Sequence, residues 1–284
     1  MAPMMTVPPI PGRPARSLAG HVRSASVPCH SHPLLMHVDD QLLALRSWTS
    51  NPGQNPLSLA HVRALLCVLD ELLHLPLAQG ALVRGAAACT DSLLDGFLVL
   101  ADAFGSFLAA LLALRQHASD LRAAVRRRDP EKLASAARAQ RQVGKELEQL
   151  AAAVAREAAR CARASLVSCS ASAEPEIVST VAEAINDTAV ASASVFLEVC
   201  AVADAAAAVA ASPSSSSKKQ RLALVNASSR SKRLASEEQR EAVALEKLQE
   251  LELCIGELES ESEKVFRSLV QTRVSLLNVH TPTF

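Results

Sequence analysis

The chain has 284 residues with 29 basic and 29 acidic side chains, so its formal net charge is zero and gives no overall attraction to nucleic acid or to an anionic membrane. Hydrophobic residues make up 49% and charged residues 20%, which excludes global disorder and favours a globular protein with a substantial core. Only 2% of the residues are aromatic. This scarcity argues against modules that stack nucleic-acid bases and predicts an aliphatic, alanine-rich core.

Residues 1–32 are rich in proline and contain three arginines but no acidic residue, which predicts a disordered basic arm. Within it, Arg23, Ser26 and Pro28 form an Arg-Ser-x-Ser-x-Pro sequence. If Ser26 were phosphorylated, an adaptor of the 14-3-3 type could bind this sequence. The alternatives are an ordinary basic, serine-rich tail and a plastid transit peptide, which is also basic and free of acidic residues.

The spacing of apolar residues predicts helices from residue 34 onward. These predicted helices cover residues 34–48, 58–75, about 77–125, 131–163 and 174–211. The third is apolar on nearly every face, so we expect it to be the most buried helix, with Gly96 and Gly105 allowing close approach or a kink. Pro76 and the sequence Arg126–Pro130 mark its two ends.

The last predicted helix is the longest and covers about residues 236–278. Its apolar seam alternates three- and four-residue steps, through Leu248, Leu251, Ile255, Leu258, Val265, Leu269 and Leu276. Ser262 and Thr272 occupy two positions of the same seam. Such a helix packs either against earlier helices of its own chain or against another chain as a coiled coil. The sequence therefore predicts an all-α domain over residues 33–284, a bundle of about five or six helices with a long C-terminal amphipathic helix.

A segment rich in serine, lysine and arginine, at about residues 212–233, is predicted to be a linker that interrupts this domain. Lys218 and Lys219, followed after a spacer by Arg230, Lys232 and Arg233, fit a bipartite nuclear-import pattern. Exposed basic side chains in a flexible linker are the simpler interpretation.

The seven cysteines are scattered and contain no Cys-x-x-Cys pair, which favours reduced thiols in a reducing compartment over disulfides or a zinc site. The proline-rich N-terminus lacks an apolar signal segment. We therefore expect an intracellular, cytoplasmic protein that is not secreted, with plastid and nuclear locations as alternatives. The most apolar window, residues 195–211, contains Glu198 and Asp204, and we interpret it as too polar and short for a membrane span.

The sequence contains none of the glycine-rich phosphate loops, nucleophile motifs or zinc motifs that identify common enzyme classes. We therefore predict no catalytic, cofactor-binding or metal-binding residues and expect a protein that is not an enzyme.

Several segments resemble the plant BYPASS-like family. The resemblance is carried by 23–28, 32–34, 42–48, the Leu-Leu-x-Leu-Pro-x-x-Gln pattern within 72–82, 93–96, 126–129 and, most specifically, 266–278. It covers most of the chain and is weakest in the alanine-rich helix 174–211 and in the serine-rich linker.

The resemblance implies a helical plant protein without an established enzymatic activity. It also implies a role in root and shoot development, in which members of the family restrain a root-made mobile signal. Our leading hypothesis is a regulatory or scaffold protein that acts through other proteins, with self-association through its C-terminal helix as one option. The alternative is an enzyme or carrier for a small apolar, carotenoid-derived molecule held within the bundle. A third, weaker hypothesis is membrane association through the apolar helices.

Overall fold

The computed structural model describes residues 32–53, 55–84, 87–169, 175–211 and 227–280, with the side chains of 169, 175, 227–236 and 280 left aside. These ranges belong to one compact unit. They contain α-helices and no strand, so the all-α prediction is confirmed. The helices are α1 (Pro33–Ser50), α2 (Ala60–Leu73), α3 (Pro76–Arg84), α4 (Ala87–Arg127), α5 (Pro130–Cys169), α6 (Pro175–Ala211) and α7 (Ala227–His280).

The described residues form seven helices rather than the predicted five or six. The difference arises because the region 77–125, predicted as one helix, forms two helices, α3 and α4. The axes of α2 and α3 differ by 79°, since Pro76 lacks the N–H that would continue α2. The long C-terminal helix is confirmed, but it begins at Ala227 rather than at residue 236. Residues 227–233 of the predicted linker are therefore helical, and the rest of that linker lies outside the described residues.

The four long helices form the bundle, in which α4 contacts each of the other three. α5 packs along one side of α4 and α7 along another, while α6 packs on α5 and reaches α4 and α7 across the interior. The remaining helices cover one end of this bundle, where α1 packs on α2 and on the first half of α6, and α2 packs on the second half of α7.

The chain turns from α4 into α5 within two residues, Arg128 and Asp129. Arg128 has a φ of +54°, the left-handed conformation that commonly ends a helix. The N–H of Asp129 donates to the carbonyl oxygen of Ala124 at 3.1 Å, as in a Schellman motif. The Asp129 carboxylate then accepts the N–H groups of Glu131 and Lys132, which caps α5. This short connection makes α4 and α5 antiparallel neighbours.

Three of the chain's six phenylalanines meet in the middle of the bundle. The rings of Phe107 and Phe196 stack with centroids 4.2 Å apart, and Phe104 packs edge-on against Phe196 at 5.7 Å. All three side chains are fully buried. Aromatic packing of this kind adds to the hydrophobic effect, and it joins α4 to α6 in a core that is otherwise made of leucine, valine and alanine.

The two glycines of α4 that the sequence singled out have different environments. A Cβ atom added at Gly96 would lie 3.0 Å from two side-chain carbons of Ile185 on α6 and 3.5 Å from the Cβ of Cys161 on α5. A Cβ added at Gly105 would have no neighbour within 4 Å. Gly96 therefore allows close approach of three helices, whereas Gly105 lies on an open face.

Gly96→Val is expected to destabilise the protein more than Gly105→Val. Both changes place the same branched residue in the same helix, so their helix-propensity costs are similar. Within one chain, only Gly96→Val overpacks a helix contact, which costs on the order of 2 kcal/mol. Urea-induced unfolding measures this difference. Equal stability of the two variants would contradict the close approach of α4 to α6.

The apolar seam of α7 faces the interior of its own chain. Leu248, Ile255, Val265, Leu269 and Leu276 are fully buried, which confirms packing within the chain as the role of this seam. Ser262 and Thr272 are fully buried too. The hydroxyl of Thr272 donates to the carbonyl oxygen of Ser268 at 2.9 Å, which offsets the cost of placing a polar group in the seam.

Leu269→Asp is expected to lower the free energy of unfolding by roughly 3 kcal/mol or more, because it buries an unpaired charge. The neighbouring Val270 is 42% exposed, so Val270→Asp provides a matched control with a small expected effect. Thermal unfolding followed by circular dichroism compares the two variants. An unchanged melting temperature for Leu269→Asp would mean that α7 does not pack through this seam.

Candidate interaction surfaces

Ion pairs set the register between α4 and α7. Arg115 contacts Glu259 at 2.6 Å, and Arg122 contacts Glu252 at 2.6 Å. Each helix advances seven residues between the two pairs, so the helices are antiparallel and the same face of each is used twice. One carboxylate oxygen of each glutamate is buried without a hydrogen-bond partner. Because the pairs are partly exposed, they contribute more to the choice of register than to stability.

A second set of charges joins α1 to α6. The guanidinium of Arg46 donates to Glu183 at 2.7 Å and to Asp187 at 2.5 Å, and the hydrogen bond with Glu183 is the main cause that raises the pKa of Arg46. Nearby, burial and then repulsion by Glu183 raise the pKa of Asp39. The start of α6 therefore carries an acidic surface that Arg46 only partly neutralises.

Beyond these acidic residues, the outer face of α6 is apolar. We call it the α6 outer stripe, and it consists of Val190, Leu197, Ala201 and Ala205, all exposed. Val190 and Leu197 are 42% and 47% exposed. Asp204 interrupts the stripe near its far end. Exposed apolar side chains that follow one helix face are typical of surfaces that bind another protein.

The outer face of α4 is the second exposed apolar surface. Leu98 is 41% and Leu112 is 53% exposed. Between this face and α5 lies an open groove of about 520 Å³, lined mainly by alanine, leucine and valine side chains such as Ala109, Ala113 and Leu150. The interior at the same level is occupied by the phenylalanine cluster, so the groove lies on the surface rather than inside the bundle.

The predicted site residues are not brought together in the described part of the chain. Arg23, Ser26 and Pro28 lie outside the described residues, as do Lys218 and Lys219. The backbone of Arg230, Lys232 and Arg233 belongs to the first turns of α7, while their side chains are not described. The docking sequence and the nuclear-import cluster therefore remain predictions.

Sequence reasoning missed the exposed faces of α4 and α6. It treated α4 as apolar on nearly every side, and buried Leu93, Phe97 and Phe104 agree with that view. The signal that separates the faces is polar residues at helical spacing, such as Asp102 and Gln116 on α4, which are both exposed. An apolar residue three or four positions from a charged one lies on the same helix face and is exposed with it.

The cysteines differ from one another in environment. Cys161 and Cys200 are buried free thiols, and Cys67 is an exposed one. Cys89 is buried at the start of α4 and disulfide-bonded, so the expectation of reduced thiols is wrong for Cys89. Its partner lies outside the described side chains. Burial raises the pKa of Cys200 to about 11, which leaves this thiol protonated and unreactive at neutral pH.

A thiol reagent such as 5,5′-dithiobis(2-nitrobenzoic acid) at pH 8 is expected to modify Cys67 rapidly and Cys200 only after unfolding. At that pH, a thiol with a pKa of about 11 is ionised in about one molecule in a thousand. Peptide mapping by mass spectrometry distinguishes the two positions. Equal labelling of both cysteines in the folded protein would contradict the packing of α6 on α5.

Among the residues that the structure describes, two helices are long and apolar enough to cross a membrane by length and composition alone, α4 and residues 176–211 of α6. The bent pair α2 and α3 would be a third if counted as one span. The prediction made from residues 195–211 alone is therefore too restrictive. In the bundle, 44% of the most apolar window of α4 and 50% of that of α6 are buried. Much of this hydrophobicity therefore serves the core.

The fold and its surfaces define an all-α bundle with two exposed apolar faces. In the described ranges, no three histidine, cysteine or acidic residues are grouped as a metal ion would require. The chain belongs to the family described as Protein BPS1, whose model matches residues 58–279, from just before α2 to the last turn of α7. This confirms the resemblance to BYPASS-like proteins. Neither the curated proteins nor the solved structures contain a match to the chain.

Proposed function

We propose that this member of the BPS1 family is a non-enzymatic regulatory or scaffold protein that acts by binding other proteins. We further propose that it takes part in root and shoot development by restraining a root-derived mobile signal, as the resemblance to BYPASS-like proteins implies. An intracellular, cytoplasmic location belongs to the same proposal. The observation that carries the binding role is the α6 outer stripe.

The α6 outer stripe suits protein binding because it is apolar, rigid and bordered by charge. The opposite face of α6 is held in the core by Phe196, Val199 and Ala203, so the stripe needs little ordering when a partner binds. Glu183 and Asp187 lie at one end of the stripe and Asp204 near the other. A partner with an apolar centre and basic residues around it would therefore be complementary to this surface.

The alternative, a carrier of an apolar metabolite within the bundle, has less support. The stacked rings of Phe107 and Phe196 occupy the interior between α4 and α6, and they would have to move to admit a ligand. Turnover of a defined metabolite by the purified protein, abolished by a substitution among the side chains around these rings, would favour this alternative over the scaffold.

Leu197→Lys is expected to abolish the function without unfolding the protein, since the side chain is exposed. In plants that lack the endogenous protein, the wild type should restore normal root and shoot growth and the variant should not. Proximity labelling in the same tissue should show a several-fold loss of the variant's neighbouring proteins.

Leu253→Lys on α7 is the matched control, because Leu253 is 64% exposed and does not belong to the α6 outer stripe. It should restore growth as the wild type does. Full restoration by Leu197→Lys, at wild-type protein levels, would overturn the role of the α6 outer stripe.

A further inference from the structure

One face of α4 has the residue spacing of a coiled-coil seam although no helix of the described chain covers it. Six exposed positions follow alternate four- and three-residue steps: Leu98, Asp102, Gly105, Ala109, Leu112 and Gln116. We call them the α4 outer stripe. The same spacing brings the buried seam of α7 against its neighbours, so a stripe of this kind is suited to receive another helix.

The small residues at the centre of the stripe leave room for a large side chain. A Cβ atom at Gly105 would have no neighbour within 4 Å, so Gly105 and the small residues beside it, Ser106 and Ala109, leave a shallow depression next to Asp102. Ser106 and Ala109 also line the groove between α4 and α5. In coiled-coil packing, a knob from one helix enters a hole formed by four residues of the other. Leu112 is the most exposed large hydrophobic side chain of α4 and has the size to fill such a hole.

We propose that two copies of this chain associate through the α4 outer stripe, with their α4 helices antiparallel. A twofold axis between Gly105 and Ala109 places Gly105 of each copy opposite Ala109 of the other, where short side chains permit close approach. The same axis places Leu112 of each copy opposite Asp102 of the other, at the edge of the depression. One stripe thus supplies both the knob and the hole.

The charges of the stripe favour a second copy in the antiparallel direction. The carboxylate of Asp102 has no ion pair or hydrogen bond among the described residues, and the antiparallel arrangement brings it within one helical turn of Arg115 of the other copy. Arg115 is half-exposed and uses Nη1 for Glu259, which leaves other N–H groups of the guanidinium to donate. A parallel arrangement would instead place Asp102 opposite Asp102, where like charges repel.

A lipid surface would fit the α4 outer stripe less well than a second copy of the chain does. Asp102 and Gln116 lie within the stripe, and acyl chains offer no partner for a carboxylate or an amide. A second copy pairs the carboxylate with a guanidinium at two symmetry-related places. The pairing uses α4 and neither the α6 outer stripe nor the α7 seam. A test of the pairing is therefore independent of a test of the proposed function.

Sedimentation velocity of the full-length chain tests the proposal. We expect a concentration-dependent species with twice the 30.0 kDa mass of one chain. Leu112→Glu should raise the dissociation constant at least tenfold, whereas Leu253→Glu on α7 should leave it unchanged. A wild-type chain that stays monomeric at all concentrations overturns the proposal, whether or not it binds phosphatidylcholine–phosphatidylserine vesicles. A dimer that Leu112→Glu leaves intact also overturns the proposal.

A charge exchange between two different chains tests the antiparallel direction. One chain carries Asp102→Arg. The other carries Arg115→Glu together with Glu259→Arg, which keeps its internal ion pair with reversed charges. Each chain alone should dissociate, because like charges then meet at both contacts. Their mixture should recover the wild-type affinity, since both contacts again join opposite charges. Circular dichroism confirms that each chain is folded, and failure of the mixture to recover overturns the arrangement.

Discussion

The packing of α4 against three other helices is the constraint on which the rest of the structure depends. Gly96 lets α6 and α5 approach closely, and the rings of Phe104, Phe107 and Phe196 fill the space further along. With aromatics so scarce, this cluster is the main irregular shape in a core of small aliphatic side chains. The phenylalanine cluster fits together in one alignment of α4 and α6. An interface made only of alanine and leucine would specify that alignment less well.

Ion pairs then determine the register in which α7 lies on α4 and α1 lies on α6. Arg115 and Arg122 choose the register of α7, and Arg46 chooses that of α1 on α6. A register shift of one turn would separate these charges from the partners that they now contact. The hydrophobic seam therefore provides most of the stability, while the charges exclude alternative alignments.

Much of this architecture could be predicted from the sequence, because helical periodicity and proline positions report directly on helix formation. The α7 seam and the break at Pro76 are examples. The division of α4 into buried and exposed faces was missed, since Leu98 and Leu112 are as apolar as their buried neighbours and the signal that separates them is the polar residues at the same helical spacing, such as Asp102 and Gln116. The candidate surfaces lie on the exposed faces of α4 and α6, whereas the motifs that the sequence offered, such as Ser26, lie outside the described residues.

The order of the helices along the chain has a consequence for synthesis. α4 and α5 are adjacent and joined by two residues, so their contacts form locally and early. The Arg115–Glu259 pair instead joins residues 144 positions apart, so α7 leaves the ribosome long after α4. Until it does, the side of α4 that α7 covers is open to water and to other chains. The nascent bundle therefore passes through a stage in which a large apolar surface needs protection, and that stage ends only when α7 docks.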